Sequence, residues 1–555
     1  MERTYRFPNS PNAVTRGLFS GVAALAFLAA SPASAGELVK VSKDSPFANC
    51  TADNVAGQLG TNYPDSEIEP WISVNPLFKN NLIAGWQQDR WSNGGARGLV
   101  GGVSYDGGRN WFRSVPPKIT LCTGGPWERA SDPWVAISPL GIAFFQSLAF
   151  QNDRPDGGLG ANAVLVSRST NGGFTWSKPI ALIEDNNGQV FNDKNSITAD
   201  PFDSRYIYGT WDRLVDFTLP ENNAAGKAAK KSGGNRDGVA IARDRLRKLK
   251  SKTARKQTQA AAAEDVTFIG PTYFVRTTNG GISWEKAKEI YDPGPDAQTI
   301  GNIAEVLGDG SVAVFFTNIS SLGETSLGLI RSRNKGRTFG TARLPITTNV
   351  TLTGSLTPNT EQVVRDGNIL FDVAVDRRSG NLYLVWQDSR FQDIDQVAFS
   401  MSRDHGRTWS DPVKINMTPE SANLLRNQAF VPSVEVGPQH EITVTYYDFR
   451  NDTDEAGKEL TDYFAVFCTP GHGNDCSKRE NWGDGAVKGK DTRITDRSFN
   501  MLDAPDARGL FLGDYMGLAR KGNVVMPAFG IADGPNRVSV YTKPIRSKKP
   551  MVAGN

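Results

Sequence analysis

The sequence is short of histidine, of cysteine and of long apolar runs. Three histidines in 555 residues leave little material for a histidine-rich metal centre or for catalysis by a histidine base. The longest apolar stretch, residues 18–30, is shorter than the roughly 20 residues that a membrane-spanning helix needs. The sequence also lacks a nucleotide-binding glycine loop, zinc-type cysteine spacing, a serine nucleophile elbow and a heptad run. These absences argue against several common classes of enzyme and against a transmembrane anchor.

The apolar stretch instead belongs to a secretory signal, which we predict over residues 1–35. Arg3 and Arg16 supply its positive charge, and small residues at 33–35 form a cleavage site. We therefore expect a secreted or periplasmic protein. Its four cysteines, an even number in an exported chain, indicate two disulfides. Three pairings are possible, and we favour Cys50 with Cys122 and Cys468 with Cys476.

Positive charge is concentrated in one segment. The net charge is +3, but residues 227–256 hold twelve Lys/Arg and two Asp/Glu, so this segment carries +10 and the remainder −7. We predict a basic helical or disordered insertion over residues 222–264. A solvated segment is the simpler interpretation, and contact with an anionic surface or polymer is the alternative. We expect no nucleic-acid partner.

One eight-residue pattern, Ser/Thr-x-Asp/Asn-x-Gly-x-x-aromatic, occurs five times. Each copy lies between two strand-like runs and therefore predicts a hairpin turn. In such a turn the Asp or Asn bonds to nearby backbone, and Gly takes a positive φ. We call these copies the repeated turns; they occupy residues 104–111, 169–176, 277–284, 332–339 and 402–409.

Alignment of the repeats gives seven units, each predicted to be a four-stranded meander. The second strand of each unit ends near an aromatic residue: Trp86, Phe145, Trp211, Phe316, Trp386, Tyr446 and Phe529. Repetition on this scale predicts an all-β fold, a β-propeller of seven four-stranded blades, with six blades as the alternative. The predicted boundaries are an N-terminal segment over 36–68, the propeller over 69–545 with the insertion in its third blade, and a tail over 546–555.

Connections in a meander alternate between the two ends of a blade. The repeated turns and the first-to-second turns share one face, the turn face. The second-to-third loops and the segments that lead into each first strand share the other, the loop face. Propellers usually carry function on one such face. The loop face collects Glu69, Asp132, Lys194, Asp514 and Tyr515 before first strands, and Asp89, Arg90, Arg213, Asp388, Arg390, Asp448 and Arg450 at the ends of second strands.

Two interpretations of these Asp and Arg residues stay open. The pairs form salt bridges between blades, or the arginines form a ring that binds carboxylate or sulfate groups with their planar forks. In the second case Arg90, Asp388, Asp448 and Asp514 also contact substrate.

The repeated turns resemble the Asp-box, or BNR repeat, of the sialidase (neuraminidase) superfamily. The resemblance implies a propeller glycosidase that holds a sugar carboxylate with three arginines. It also implies a tyrosine nucleophile activated by a glutamate, and an aspartate as acid/base. Carried over to this sequence, the arginines are Arg213, Arg390 and Arg450, the acid/base is Asp89 or Asp132, and the nucleophile is Tyr447 or Tyr515 with Glu305 or Glu69 as its partner.

Two functions from different classes follow. The first is an exported sialidase-like glycoside hydrolase that acts on a carboxylate-bearing glycan. The second is a non-catalytic propeller that binds an anionic glycan or a surface partner, favoured by the absence of the family's early Arg-Ile-Pro strand. We expect a monomer that needs no cofactor. Ca²⁺ at Asp89, Asp193 and Asp514 is left open.

Overall fold

Antiparallel β-strands provide almost all the regular structure of this chain. The computed structural model describes residues 36–155, 157–220, 266–471 and 474–548. The predicted signal, 1–35, and the predicted insertion, 222–264, lie outside these residues. Within them there is no α-helix, only five short 3-10 turns at Val55–Gly57, Leu121–Thr123, Leu424–Asn427, Arg479–Asn481 and Met501–Asp503.

The strands follow one another as successive meanders. In chain order they are β1 (Val39–Lys40), β2 (Asn62–Val74), β3 (Leu82–Trp91), β4 (Ala96–Ser104), β5 (Phe112–Ser114), β6 (Arg129–Ile137), β7 (Ala143–Phe150), β8 (Asn162–Ser169), β9 (Ile180–Asp185), β10 (Val190–Ala199), β11 (Ile207–Asp216), β12 (Phe268–Ile269), β13 (Thr272–Thr277), β14 (Lys288–Tyr291), β15 (Gln298–Val306), β16 (Val312–Ile319), β17 (Thr325–Ser332), β18 (Val364–Arg365), β19 (Phe371–Val375), β20 (Leu382–Asp388), β21 (Gln396–Ser402), β22 (Val413–Lys414), β23 (Ala429–Val436), β24 (Ile442–Asp448), β25 (Leu460–Cys468), β26 (Thr492–Arg493), β27 (Phe499–Asn500), β28 (Leu510–Phe511), β29 (Gly517–Lys521), β30 (Val524–Gly534) and β31 (Arg537–Thr542).

The first strands of the meanders form a closed ring. Strands β2, β6, β10, β15, β19, β23 and β29 each contact the next, and β29 contacts β2. Later strands pair outward from this ring, for example in the order β19-β20-β21-β22. The fold is therefore a β-propeller. The number of blades stays a prediction, because β2–β9 form one continuous sheet and the β15–β17 sheet has three strands.

All five repeated turns have the hydrogen bonding that their sequence predicts. In the first, Ser104 Oγ accepts the Gly108 amide at 2.8 Å, and Asp106 Oδ1 accepts the amides of Arg109 and Asn110, each at 3.0 Å. Gly108 has φ 92°, which favours glycine. Trp111 closes the turn by donating its indole N–H to the Gly108 carbonyl. The equivalent Ser/Thr-to-Gly bonds recur in the other four turns.

The N-terminal segment completes the last meander. Strand β1 pairs with β31, Val39 opposite Thr542, so residues from both ends of the described chain share one sheet. The predicted disulfides Cys50–Cys122 and Cys468–Cys476 are both confirmed and indicate an oxidising compartment. No helix among the described residues is long and apolar enough to cross a membrane.

Candidate functional site

A repeated bulge points charged side chains toward the centre of the ring. The pairing register shifts in β2 around Glu69, in β6 around Asp132 and in β10 around Lys194. These three residues have φ of 52°, 52° and 46°, a left-handed conformation that costs a non-glycine residue about 1 kcal/mol or more. The same bulge in β15 has Gly301, φ 68°. Strain at three charged residues marks this part of the ring as a candidate site.

The three bulges bring Glu69, Asp132 and Lys194 together with Asp514, which lies between β28 and β29, and we call these four charged groups the central cluster. Lys194 Nζ lies 3.3 Å from Glu69 Oε1, 3.3 Å from Asp132 Oδ2 and 3.0 Å from Asp514 Oδ2. Arg365 forms a second bond to Asp514, 2.6 Å from its Oδ2. All of these side chains are buried. Three carboxylates therefore share one ammonium group inside the ring.

Burial and mutual repulsion set the protonation of the cluster. Burial raises the pKa of Glu69 to about 8; Lys194 opposes this shift and Asp132 adds to it. Burial lowers the pKa of Lys194, but Asp132, Asp514 and Glu69 outweigh it and hold that pKa well above its ordinary value. Lys194 is therefore a fixed positive charge, whereas Glu69 exchanges its proton near neutral pH.

Tyr515 lies beside the cluster under a pair of tryptophans. Trp71 and Trp134 stack with ring centroids 3.4 Å apart, and the Tyr515 ring lies 5.4 Å from Trp134. Lys194 Nζ is 5.4 Å from the centre of the Tyr515 ring. The Tyr515 hydroxyl is buried and has no hydrogen-bond partner among the described residues. Burial, with the charges of Asp132 and Glu69, raises the pKa of Tyr515 well above its ordinary value.

The cavity next to Tyr515 is small. The cavity lined by Trp71, Trp134, Asp514 and Tyr515 has a volume of about 20 Å³, enough for about one water molecule. A sugar ring that reaches the Tyr515 hydroxyl must therefore displace part of the surrounding wall.

A larger cavity lies further along the same first strands, toward the turn face. It has a volume of about 330 Å³ and is lined by Trp71, Trp134, Glu305, Asp372 and Glu435, among others. Burial raises the pKa of Glu305 to about 7, although Glu305 is 2.8 Å from Arg377. Burial likewise raises the pKa of Asp372 to about 7. The predicted residue Glu305 is therefore in a different cavity from Tyr515.

The predicted arginines contact carboxylates close to them. Arg213 binds Asp185 with its Nη2 atom 2.7 Å from Oδ1, and Arg390 binds Asp388 at 2.7 Å. Arg450 binds both Asp448 and Asp491, at 2.6 Å each. Arg90 is buried, donates to Gln87 at 2.7 Å and lies 5.1 Å from the centre of the Phe511 ring. These contacts neutralise the three arginines assigned to carboxylate binding.

Two further predicted residues lie in structural networks. Asp89 accepts hydrogen bonds from Ser45 Oγ at 2.7 Å and from the Asp65 amide at 2.9 Å, both in the segment before β3. Tyr447 is fully buried in an aromatic core and donates to the Gly530 carbonyl at 2.8 Å. The structure thus brings together Asp132, Asp514 and Tyr515 from the predicted set, with Glu69, and places the other predicted residues elsewhere.

Sequence reasoning gave no role to Lys194 or Arg365, although both bind cluster carboxylates. It also gave no role to Asp212, which is buried on β11 opposite Asp193 of β10. The two carboxylate oxygens of Asp212 have no hydrogen-bond partner among the described residues. One signal was available. Acid-Pro-Trp occurs before the first strands of both the first and the second unit, at 69–71 and 132–134. Such a repeat on one side of a ring predicts carboxylates at equivalent positions.

No metal site emerges from the described residues. The one group of three potential ligand atoms within 4.8 Å of one another there is Cys50, Asp53 and Cys122, and both sulfurs are in a disulfide. Asp89, Asp193 and Asp514 do not form such a group.

Comparisons with known proteins give structural neighbours only. No family model matches the sequence, and neither does any curated protein. Among solved structures the chain is similar to the Hadza microbial sialidase Hz136, with 14% identity, 85% of this chain and 74% of that chain covered, and a TM-score of 0.41. It is also similar to the intramolecular trans-sialidase from Ruminococcus gnavus, with 12% identity, 90% and 100% coverage, and a TM-score of 0.40. The Penicillium chrysogenum alpha-L-arabinanase has 11% identity, 74% and 94% coverage, and a TM-score of 0.39. Values this low do not decide the activity.

Proposed function

We propose that this protein is an exported glycoside hydrolase of sialidase type, with its acid–base chemistry in the central cluster. The observation that carries the proposal is the buried Tyr515 hydroxyl, which has no hydrogen-bond partner among the described residues and belongs to a ring whose centre is 5.4 Å from Lys194 Nζ of the central cluster. A hydroxyl that is committed to no other contact is free to react. Resemblance to sialidases supplies the substrate class, a glycan with a carboxylate beside the anomeric carbon.

In this mechanism Tyr515 attacks the anomeric carbon and Glu69 takes its proton. A neutral nucleophile suits a carbon that bears a carboxylate, because an anionic nucleophile would be repelled. Asp132 protonates the leaving-group oxygen and then activates water. Lys194 holds both carboxylates and acts as a positioning residue. Because Glu69 must be ionised to act as a base, the rate should rise with pH through about 8.

Hydrolysis of two fluorogenic substrates, an α-sialoside and an α-L-arabinofuranoside, tests this proposal. We expect turnover of the sialoside and a loss of at least about a hundredfold in Tyr515→Phe. Tyr447→Phe is the matched control, because its hydroxyl bonds a core carbonyl away from the cluster. It should keep its activity and lose about 1 kcal/mol of stability.

The outcomes separate the parts of the proposal. Turnover of the arabinofuranoside alone would retain a glycosidase and reject the carboxylate-bearing substrate. Equal activity of Tyr515→Phe and the parent would reject Tyr515 as the nucleophile. If folded protein hydrolyses neither substrate, the enzyme proposal fails.

A second candidate function is non-catalytic binding of an anionic glycan. It is favoured by the small cavity at Tyr515, which has no room for a sugar ring. Binding of sialyl-oligosaccharides without hydrolysis, measured by calorimetry and unchanged in Tyr515→Phe, would support this function over the first.

A further inference from the structure

Large apolar side chains are exposed on the turn face of the first three units. Phe78 is 66% exposed, Leu140 69%, Phe202 55% and Ile282 71%. Each lies at the tip of a first-to-second turn or of a repeated turn. With three neighbours they form what we call the apolar patch: Leu77, Phe78, Tyr105, Leu140, Phe174, Phe202 and Ile282. Among the described residues, the corresponding turns of the fourth and fifth units have no exposed large apolar side chain.

These tips are adjacent, because their turns bond directly to one another. The Tyr105 hydroxyl donates to the Asn171 carbonyl in the turn of Phe174, at 3.0 Å. The Leu140 amide donates to Ser204 Oγ, two residues after Phe202, also at 3.0 Å. The Gly280 amide, in the turn of Ile282, donates to the Arg205 carbonyl at 2.9 Å. The Gly107 amide donates to the Asn80 carbonyl in the turn of Phe78, and Arg168, just before the turn of Phe174, donates to the Gly280 carbonyl, each at 2.9 Å. The patch is therefore a continuous arc over three units.

Positive charge lies beside the apolar patch and on the next two units of the turn face. Lys79, Lys178 and Lys286 are exposed within or beside the turns of the patch. The corresponding turns of the fourth and fifth units expose six arginines, of which Arg377 is paired with Glu305 and Arg403 with Asp475, and this leaves Arg333, Arg337, Arg378 and Arg407. Several of the acidic residues on this face are neutralised: Asp203 by Arg205, Asp309 by Arg331 and Glu285 by Arg276. On the turn face, the first three units are therefore apolar and the fourth and fifth units are basic.

We propose that the turn face docks the protein onto the surface of an anionic lipid bilayer. Exposed apolar patches of this kind mark interaction sites. Here the apolar groups protrude singly from separate turns, so that a fluid interface can surround each one, and the adjacent arginines meet anionic headgroups. The complementarity of charge selects an anionic bilayer over a neutral one.

Co-sedimentation of the full protein with sucrose-loaded vesicles tests this docking. Vesicles contain equal parts of phosphatidylglycerol and phosphatidylcholine, or phosphatidylcholine alone. We expect binding to the first kind and much weaker binding to the second. The triple variant Phe78→Ser, Leu140→Ser, Phe202→Ser should raise the half-saturating lipid concentration by at least about tenfold. The double variant Arg337→Gln, Arg407→Gln should raise it by about tenfold or more and flatten its dependence on salt.

A matched control removes apolar groups elsewhere on the surface. The triple variant Leu59→Ser, Leu322→Ser, Leu424→Ser changes exposed leucines outside the apolar patch and should bind as the parent does. Thermal unfolding checks that each variant is folded. Equal binding of the apolar-patch variant and the parent would overturn the proposal, and would assign any vesicle binding to the basic segment 227–256. Self-association without vesicles that the apolar-patch variant abolishes would also overturn it, because a second copy would then be the partner.

Discussion

Replacement of Lys194 by methionine removes the one ammonium group that three buried carboxylates share. Glu69, Asp132 and Asp514 then face one another; Asp514 keeps its ion pair with Arg365, and Glu69 keeps the attraction of Arg90. Loss of one partner from a buried ion pair typically costs about 3–5 kcal/mol of unfolding free energy. We expect that cost in full at pH 8, where the carboxylates must ionise, and only about 1–2 kcal/mol at pH 5, where protonation relieves their repulsion.

The direction of this pH dependence follows from the direction in which burial shifts the pKa of Glu69. Burial raises the pKa of Glu69 from 4.5 to about 8, so stability due to this group is present below its ordinary pKa and is lost as pH rises toward 8. Removal of Lys194 raises that pKa further, so the loss of stability continues to higher pH. Denaturant unfolding at pH 5 and pH 8 measures both values. Lys40→Met is the control: its exposed ion pair with Asp533 should contribute less than about 1 kcal/mol at either pH. A Lys194→Met loss that is equal at the two pH values would refute the shared-ammonium argument.

Three further predictions concern stability. Burial raises the pKa of Glu67 to about 8, so Glu67→Gln should reduce the loss of unfolding free energy between pH 5 and pH 8 by about 3–4 kcal/mol; parallel pH curves for variant and parent would contradict this. Serine substitution of the Cys50–Cys122 pair should cost about 4 kcal/mol and that of Cys468–Cys476 about 2.5 kcal/mol, since the closed loops span 72 and 8 residues; denaturant unfolding would contradict the loop-entropy argument if the order were reversed. Asp404→Ala should cost about 1–2 kcal/mol in thermal unfolding because Asp404 accepts the amides of two residues in its repeated turn, whereas an unchanged melting temperature would mean that water replaces those bonds.

The repeated turns could be predicted because their chemistry is local. The bonds that Ser104 and Asp106 accept in the turn at 104–111 join residues within four positions of one another, so the local sequence determines them. The disulfide at 468–476 is local for the same reason. Closure of the last meander by β1 is not local, since Val39 and Thr542 meet only once the ring has formed.

Because the arginines occupy equivalent positions in their units, the sequence predicted that they would converge at the axis of the ring. Contacts made closer to each arginine take precedence. Asp388 and Asp448 end β20 and β24, and Arg390 and Arg450 lie two residues later, in turns where each arginine amide donates to the preceding aspartate. Arg390 and Arg450 therefore each pair with a carboxylate two residues away, whereas Arg213 pairs with Asp185 on β9. Lys194 was placed on the loop face but was given no role, for a different reason. A bulge interrupts the alternation of β10, so the side chain points where the strand pattern does not place it.

The two ends of the first strands therefore carry separable properties. The bulges hold the central cluster near the loop face. The apolar patch lies at the opposite end of the first three units, on their turns. Docking through the turn face leaves the loop face toward the medium, so a soluble substrate reaches the cluster whether or not the protein is bound to lipid. Substitutions in the apolar patch should therefore change vesicle binding and leave hydrolysis of a soluble sialoside intact, while Tyr515→Phe should do the reverse. A patch variant that lost both properties would show that the two ends are coupled through the ring.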